Sequence, residues 1–306
     1  MDKCILAPVL LFAYKRLDLL KLSIDALRSN DLSGETDLYI FSDGSKREED
    51  EGSIIELREY IRTVHGFKNL HIAEADKNKG LANSIIEGVS LVINKTQKAI
   101  VLEDDLLTST NFLSFMNQAL DHYQTDENMF SISGYSFPIN HIPSNDVYFT
   151  KRGSSWGWGT WADRWNVIDW KVSDFEKWKN DKRSQQNFNK MGSDLSAMLK
   201  KQMAGKMNSW AIRWVYHQYL TDTYTAYPTV SKVRNLGFGE GATHTFDYFN
   251  RYETELDKSG KSTFVFPRPG IDKKIQTQFV RKYSLTTRAT YKVLNKFIAP
   301  LMSKNK

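Results

Sequence analysis

Ala99-Ile100-Val101-Leu102-Glu103-Asp104-Asp105 is the stretch whose reading decides the fold. An apolar run long enough for a buried strand passes without interruption into three carboxylates. Ionised carboxylates this close in sequence repel one another, so a positive partner is expected among them. Hard divalent cations prefer oxygen ligands. In open α/β sheets, ligands bind just outside the carboxyl ends of the strands. A triple acid at a strand's exit is therefore placed to hold a metal and the phosphates bound to it. The plainer alternative is a solvated acidic turn.

Working outward from this run, strand-like and helix-like segments alternate. Before it, residues 81–93 read as a helix with Ile85, Ile86, Val89 and Val92 or Ile93 on its buried face. That helix follows a short strand at 70–73 and the polar turn Asp76-Lys77-Asn78-Lys79-Gly80. Earlier still come an amphipathic helix over 54–64 and a strand over 37–42 that ends in Asp43-Gly44-Ser45. Leu17, Leu20, Ile24 and Leu27 recur at helical spacing. Residues 5–12 read as the first strand, although Pro8 sits awkwardly in a central strand. After the acids, Phe112, Phe115, Met116, Ala119, Leu120 and Tyr123 mark a helix, and 129–133 a further strand.

This alternation predicts an α/β fold with parallel strands covered by helices. The loops after the strands then gather along one edge and bring together Tyr14-Lys15-Arg16, Asp43-Gly44, Asn78-Lys79-Gly80 and Glu103-Asp104-Asp105. Beyond residue 134 the pattern changes. Residues 135–250 are rich in Trp, Tyr and Gly, 173–206 read as helical and polar, and β character returns at 226–236 before a Gly-rich loop. No Pro/Ser-rich linker marks a boundary. The expected organisation is one catalytic domain over 1–272, with a nucleotide-binding half at 1–134 and an acceptor-side half at 135–272, and a basic tail over 273–306.

Composition narrows the class. Of 306 residues, 41% are hydrophobic and 25% charged, as in ordinary globular proteins. A lone Cys4 excludes an intramolecular disulfide and fits a reducing compartment. Met1-Asp2-Lys3 leads straight towards the first strand with no signal peptide visible, and no apolar run reaches the roughly 20 residues of a spanning helix. Cytoplasmic localisation is expected. The net charge of +6 is uneven: residues 273–306 hold nine Lys/Arg and no Asp/Glu, leaving 33 basic and 36 acidic residues in the rest. A nucleic-acid partner is not expected, since a basic face would then lie on the body itself.

The chemistry of nucleotide-sugar transfer matches the edge loops. A departing nucleoside diphosphate needs charge stabilisation, which a carboxylate-held metal supplies as a Lewis acid. Lys15 and Arg16 can add charge to the phosphates, and Arg can do so with two parallel bonds. Asp43 can accept from a base or ribose, or simply form a turn with Gly44. Asn78 and Gly80 precede a helix whose N-terminus favours anions, or they merely cap it.

Phe12-Ala13-Tyr14-Lys15-Arg16, Phe41-Ser42-Asp43-Gly44-Ser45-Lys46, Asn78-Lys79-Gly80-Leu81-Ala82 and Leu102-Glu103-Asp104-Asp105 occur in this order. Together they resemble the nucleotide-sugar glycosyltransferases of the GT-A fold, nearest to bacterial family-2-like enzymes similar to N-acetylglucosaminyltransferase I. The resemblance continues through Gly157-Trp158-Gly159-Thr160-Trp161, Ser209-Trp210-Ala211-Ile212-Arg213-Trp214 and Asn235-Leu236-Gly237 to Thr243-His244-Thr245, over roughly residues 5–246. It implies a Rossmann-like, mixed but mostly parallel sheet flanked by helices; the basic helical tail, beyond the span it covers, is read from composition and spacing. It also implies a metal-dependent inverting transfer from a nucleoside-diphosphate sugar, UDP-linked, to a glycan or lipid-linked acceptor in surface polysaccharide synthesis.

By position, the resemblance makes Asp105 the direct ligand of Mn2+ or Mg2+, with His244 a second metal or diphosphate contact. Glu103 and Asp104 would lie near the ribose and the metal's waters, Asp43 at the nucleobase, and Ala13, Tyr14, Arg16, Asn78 and Gly80 around the nucleotide. Trp158 or Trp161, in a run rich in Trp and Gly, is a candidate floor for the donor or acceptor sugar pocket, and Arg213 a phosphate or acceptor contact. Inverting enzymes need a carboxylate base for the acceptor hydroxyl. Related enzymes can carry an Asp where this chain has Ala211, so the base is sought elsewhere, at Glu240 first, with Asp163 or Asp222 as the alternatives. Two other classes remain open: a nucleotidyltransferase or other metal-dependent phosphoryl-transfer enzyme, and a non-catalytic sugar- or membrane-binding protein of this fold.

In the tail, Arg288, Lys292 and Lys296 are four apart, and Leu294, Phe297, Ile298 and Leu301 supply an apolar stripe. A basic amphipathic helix suits an anionic membrane surface, here the inner face of the cytoplasmic membrane. The alternative is a helix that packs back on the body.

Overall fold

A computed structural model describes residues 5–140, 145–237 and 249–299 of the chain. Its first half alternates strand and helix: β1 (Val9–Ala13), α1 (Leu17–Arg28), β2 (Asp37–Ser42), α2 (Glu51–Ile61), β3 (Asn69–Glu74), α3 (Leu81–Thr96) and β4 (Lys98–Glu103). Pro8 lies just before β1, where its missing N–H costs nothing and its carbonyl accepts from Ile100 N at 2.9 Å. The second half contains β5 (Leu106–Thr108), α4 (Phe112–His122), β6 (Met129–Ser133), β7 (Val147–Thr150), β8 (Trp158–Trp161), α5 (Ala162–Trp165), α6 (Phe175–Asn180), α7 (Lys182–Phe188), α8 (Leu195–Met203), α9 (Trp210–Thr221), β9 (Tyr224–Pro228) and β10 (Val233–Asn235). Two helices follow, α10 (Lys273–Lys282) and α11 (Leu285–Val293), the latter continued by a π turn over Leu294–Ile298.

Eight strands form one mixed sheet in the order β3-β2-β1-β4-β8-β6-β9-β7. Four of its seven neighbouring pairs are parallel; β8 runs antiparallel to both its neighbours, as does β7 to β9. Alternation along the strands feeds a core on each face. Val9, Leu11, Ile100 and Leu102 pack with α1 and α4, while Leu10, Phe12, Ala99 and Val101 pack with α3 and a group of tryptophans. The mixed, mostly parallel sheet with helices on both faces is the architecture expected from the sequence. The chain order reverses at β1, whose neighbours are β2 on one side and β4 on the other. Such a switch point opens a crevice at the carboxyl ends of the strands.

The short strands β5 and β10 pair antiparallel in a second sheet; β10 lies within the β-like run expected at 226–236, whereas β5 and the pairing itself were not foreseen. Their register sets Asn235 against Leu106, which brings the chain back over the acids after β4. At the C-terminal end, α10 buries Ile275 and Phe279, and the Phe279 ring lies 5.2 Å from Phe137 and 5.3 Å from Tyr227. This part of the basic tail therefore packs on the body, whereas α11 buries no residue. No helix among the described residues is long and apolar enough to cross a membrane.

Candidate active site

The loops after β1, β2 and β4, with the 78–84 stretch, enclose a cleft of about 490 Å3. Ala13, Tyr14, Arg16, Asp43, Asn78, Gly80, Glu103, Asp104 and Asp105 all line it. The parallel register explains the convergence: Phe12 aligns with both Phe41 and Glu103, so β1, β2 and β4 end at the same level.

The acids are held from below and from the side. Arg16 bonds to Asp104 and lies 2.9 Å from Asp105 Oδ2. Tyr14 N donates to Asp104 Oδ2 at 3.3 Å, and Ser23 Oγ donates to the Asp104 carbonyl at 2.9 Å. Asp105 Oδ1 is buried with no hydrogen-bond partner. Leu236 N donates to the Asp105 carbonyl at 2.8 Å, and a Cβ on Gly237 would stand only 2.3 Å from Asp105 Oδ2. Only glycine allows this approach.

Burial pushes the Glu103 carboxyl up to about 8, helped by repulsion from Asp105 and Asp104, with Arg16 acting in the opposite direction. Asp104 is pushed up to about 6, again chiefly by burial, with Arg16 opposing. A single guanidinium pairs with Asp104 and Asp105, so full ionisation of the three acids would leave negative charge uncompensated. A cation would remove that deficit.

Asp43 has a defined task. Its Oδ1 accepts from Gly44 N at 2.9 Å and Lys79 N at 2.8 Å, and its Oδ2 from Gly80 N at 2.9 Å and Asn78 Nδ2 at 3.2 Å. This fills the acceptor capacity of a carboxylate. Asp43 therefore fastens the loop ahead of α3 to the end of β2. Gly80, at φ 74°, makes the left-handed turn into that helix. On the opposite loop, Tyr14 Oη and Lys15 Nζ both donate to Asp50, at 2.8 Å and 2.6 Å.

Several lining residues were missed by the sequence reading. Phe12 and Phe41, stacked at 4.8 Å, and Leu81 supply apolar surface, and Lys46 and Arg47 add charge. Ser84 Oγ, which also lines the cleft, is buried without a partner. Trp156, Asn235 and Gly237 complete the lining. The Asn235-Leu236-Gly237 triplet carried a signal, a turn immediately after a β-like run; Trp156 carried none that set it apart from its neighbours.

Other expected site residues lie elsewhere. Trp158 is 1% exposed and packs with Trp214, Trp210 and Trp165 at 4.7, 5.0 and 5.5 Å. It is core, and it does not line the cleft. Arg213 donates to the Trp170 carbonyl at 3.0 Å and the Ser209 carbonyl at 3.2 Å, outside the cleft lining. Asp163, with its side chain 69% exposed, pairs with Arg164 at 2.5 Å. Because β8 runs antiparallel to β4, with Trp161 opposite Lys98, Asp163 emerges at the sheet edge opposite the acids. Glu240 and His244 lie outside the described residues.

Among the described residues no three Asp, Glu, His or Cys side chains converge on a common metal position. The donor set nevertheless fits a cation of the Mg2+ or Mn2+ type. Such ions are held by one or two carboxylates together with substrate phosphates. Asp105 Oδ1, buried and unpartnered, is a free oxygen of that kind.

No known protein family and no curated protein matches the chain. Among solved structures it is similar to the mannosyltransferase PcManGT from Pyrobaculum calidifontis in complex with GDP-Man and Mn2+, at 12% identity and a TM-score of 0.29 over 42% of this chain and 35% of that one. It is also similar to S. aureus TarS, at 11% identity and a TM-score of 0.38 over 73% of this chain and 37% of that one. A UDP-glucose pyrophosphorylase in its apo form aligns at 13% identity and a TM-score of 0.36, over 75% of this chain and 93% of that one. The chain thus spans little more than a third of the first two proteins' length. Likeness at these scores assigns no role to any residue of this chain.

Proposed function

We propose that this chain transfers a sugar from a nucleoside-diphosphate sugar, UDP-linked, to an acceptor hydroxyl on a glycan or lipid-linked molecule, with inversion and with Mn2+ or Mg2+. The observation that carries this reading is the under-neutralised acid cluster, with its unpartnered Asp105 Oδ1, at the switch point of the sheet.

The cleft offers one region suited to each part of the donor. Phe12, Phe41 and Leu81 give apolar surface for a base, with the Ser84 hydroxyl available to a polar edge. Lys15, Arg16, Lys46 and Arg47 draw in the diphosphate. Asp105 would hold the metal, with Glu103 beside it. When bound, the metal supplies Lewis-acid stabilisation of the departing nucleoside diphosphate. Arg16 keeps Asp105 oriented through Oδ2, leaving Oδ1 for that task.

In the transfer itself the acceptor oxygen forms a bond to the anomeric carbon as the bond from that carbon to the phosphate oxygen breaks. The hydroxyl proton passes to a carboxylate. We assign that base to Glu240. The supporting observation is that Gly237 lies against Asp105, and Glu240 follows three residues later in the sequence. Ala211 lines a neighbouring pocket that shares Trp156 with the cleft.

The test is product analysis with purified protein, Mn2+ and a panel of nucleotide sugars. Release of nucleoside diphosphate, with transfer or donor hydrolysis, is expected. Pyrophosphate release would establish a nucleotidyltransferase instead, and no turnover with any donor, together with no nucleotide binding, would overturn the reading.

A further inference from the structure

We infer that α11 and its π turn form a docking face for an anionic lipid bilayer, seated beside the cleft. Leu285, Ala289, Val293 and Phe297 follow one another at four-residue steps and form one ridge along the helix. All four are exposed, Leu285 by 67%, Val293 by 53% and Phe297 by 56%. Arg288, Lys292 and Lys296 form a second ridge, each one residue ahead of its apolar neighbour. An apolar ridge with cations alongside suits a helix lying in the interface of a membrane, apolar side in the acyl boundary and cations among the headgroups.

The surroundings carry the same charge. Between α11 and residues 249–252 runs an open groove of about 700 Å3, lined by Arg251, Arg288, Lys292 and Lys296 and by no acidic residue. From residue 273 onward the chain has nine Lys/Arg and no Asp/Glu, while the rest is slightly acidic. Arg251, Arg288, Lys292 and Lys296 concentrate positive charge along this groove, which would attract a negative surface to it.

The helix is fixed to the body by polar contacts rather than by burial. Asn295 exchanges two hydrogen bonds with Phe249, at 2.8 and 3.0 Å, and Arg288 donates to Ser193 Oγ at 3.3 Å. A short relay of rings leads from this face to the cleft. Tyr283, directly before α11, lies 6.2 Å from Tyr252, Tyr252 lies 5.4 Å from Trp156, and Trp156 lines the cleft. A docked α11 would hold the cleft close to the bilayer surface. Resting on the glycosyl-transfer reading, this makes the acceptor an amphiphile whose hydroxyl is presented at that surface.

The experiment is flotation of the purified full chain with vesicles of phosphatidylcholine alone or with phosphatidylglycerol added, at low and high salt. Binding to the anionic vesicles, weakened by salt, is expected. Lys292→Gln with Lys296→Gln should weaken it by about five-fold per charge, and Phe297→Asp should abolish it. Both variants should melt like the parent, because α11 buries no residue. Absence of flotation with anionic vesicles at low salt, or unchanged flotation of both variants, would overturn the proposal. So would a concentration-dependent dimer that Phe297→Asp dissolves, since the ridge would then be covered by a second copy. Nucleotide binding in the same preparation is an independent readout: its loss with flotation intact would strike the glycosyl-transfer reading and leave the docking face standing.

Discussion

Arg16 Nη2 lies 2.9 Å from Asp105 Oδ2, while the other oxygen of that carboxylate is buried without a partner. The side chain is thus fixed at one end and open at the other. Asp105→Asn keeps its shape and removes its charge. Turnover should fall by roughly 100- to 1,000-fold, the range expected when a metal's charge stabilisation is lost. Thermal stability should hold or rise, because repulsion within the acid cluster falls. Near-normal turnover at saturating Mn2+ would remove Asp105 from the metal site.

Glu103 makes stability depend on pH in an unusual direction. Its carboxyl titrates at about 8 in the folded chain against 4.5 for the free group, so the folded state binds the extra proton. Its contribution to stability is complete below pH 4.5 and is lost as pH rises through about 8. Glu103→Gln removes this dependence. Without metal, the variant should match the parent near pH 4.5 and exceed it by a few kcal/mol at pH 9. Urea midpoints at pH 4.5, 7 and 9 read the effect, and Mg2+ should narrow the gap. A variant less stable than the parent at pH 9 would show that Glu103 is compensated by charge.

Gly237 tests the return of the chain over the acids. A methyl group there would meet Asp105 Oδ2 at 2.3 Å and Asn235 Oδ1 at 3.0 Å. Gly237→Ala must displace either the Asn235–Gly237 turn or the Asp105 carboxylate. A displacement near 1 Å in a catalytic site costs about 100-fold. The expected result is a loss of that order in kcat with a melting temperature close to the parent's. Full activity would mean that this turn plays no part in shaping the site.

The half of the site that comes from local sequence was legible, and the half that comes from distant pairing was not. Leu38–Ser42 and Ala99–Leu102 reveal strands because apolar runs end in turn residues, and strands joined by helical crossovers run parallel, so the loops after them share one edge of the sheet. That logic placed Tyr14, Arg16, Asp43, Asn78 and Glu103 together. It fails once strand direction alternates. Asp163 follows the aromatic strand β8 as Asp104 follows the aliphatic strand β4, yet β8 runs the other way and delivers it to the far edge. Trp156 and Trp158 differ by two positions; one faces the cleft and the other is core, because β8 begins between them and carries Trp158 against α9. Nothing in the residues themselves announces that break. Asp43 looked like a group free for a ligand because its hydrogen bonds to Lys79 and Gly80 span more than thirty residues.

The Lys232–Asp257 pair anchors residues after the second half of the sheet. Burial alone would raise the Asp257 carboxyl, but hydrogen bonds from Lys232, Asn111 and Ser259 outweigh it and hold the group well below the usual carboxylate range. Asn111 Nδ2 donates at 3.0 Å and Ser259 N at 2.8 Å. With the folded value depressed, this stabilisation is present above the ordinary carboxylate value near 3.8 and is lost as pH falls below it. Asp257→Asn leaves the Lys232 ammonium buried and unpaired, at a cost of about 3 kcal/mol at pH 7. Denaturation of both proteins at pH 7 and pH 2.5 should show that difference shrinking in acid, where the unfolded parent takes up a proton at Asp257 that the folded parent still excludes. A penalty that is equally large at both values would mean that Asp257 acts through packing rather than charge.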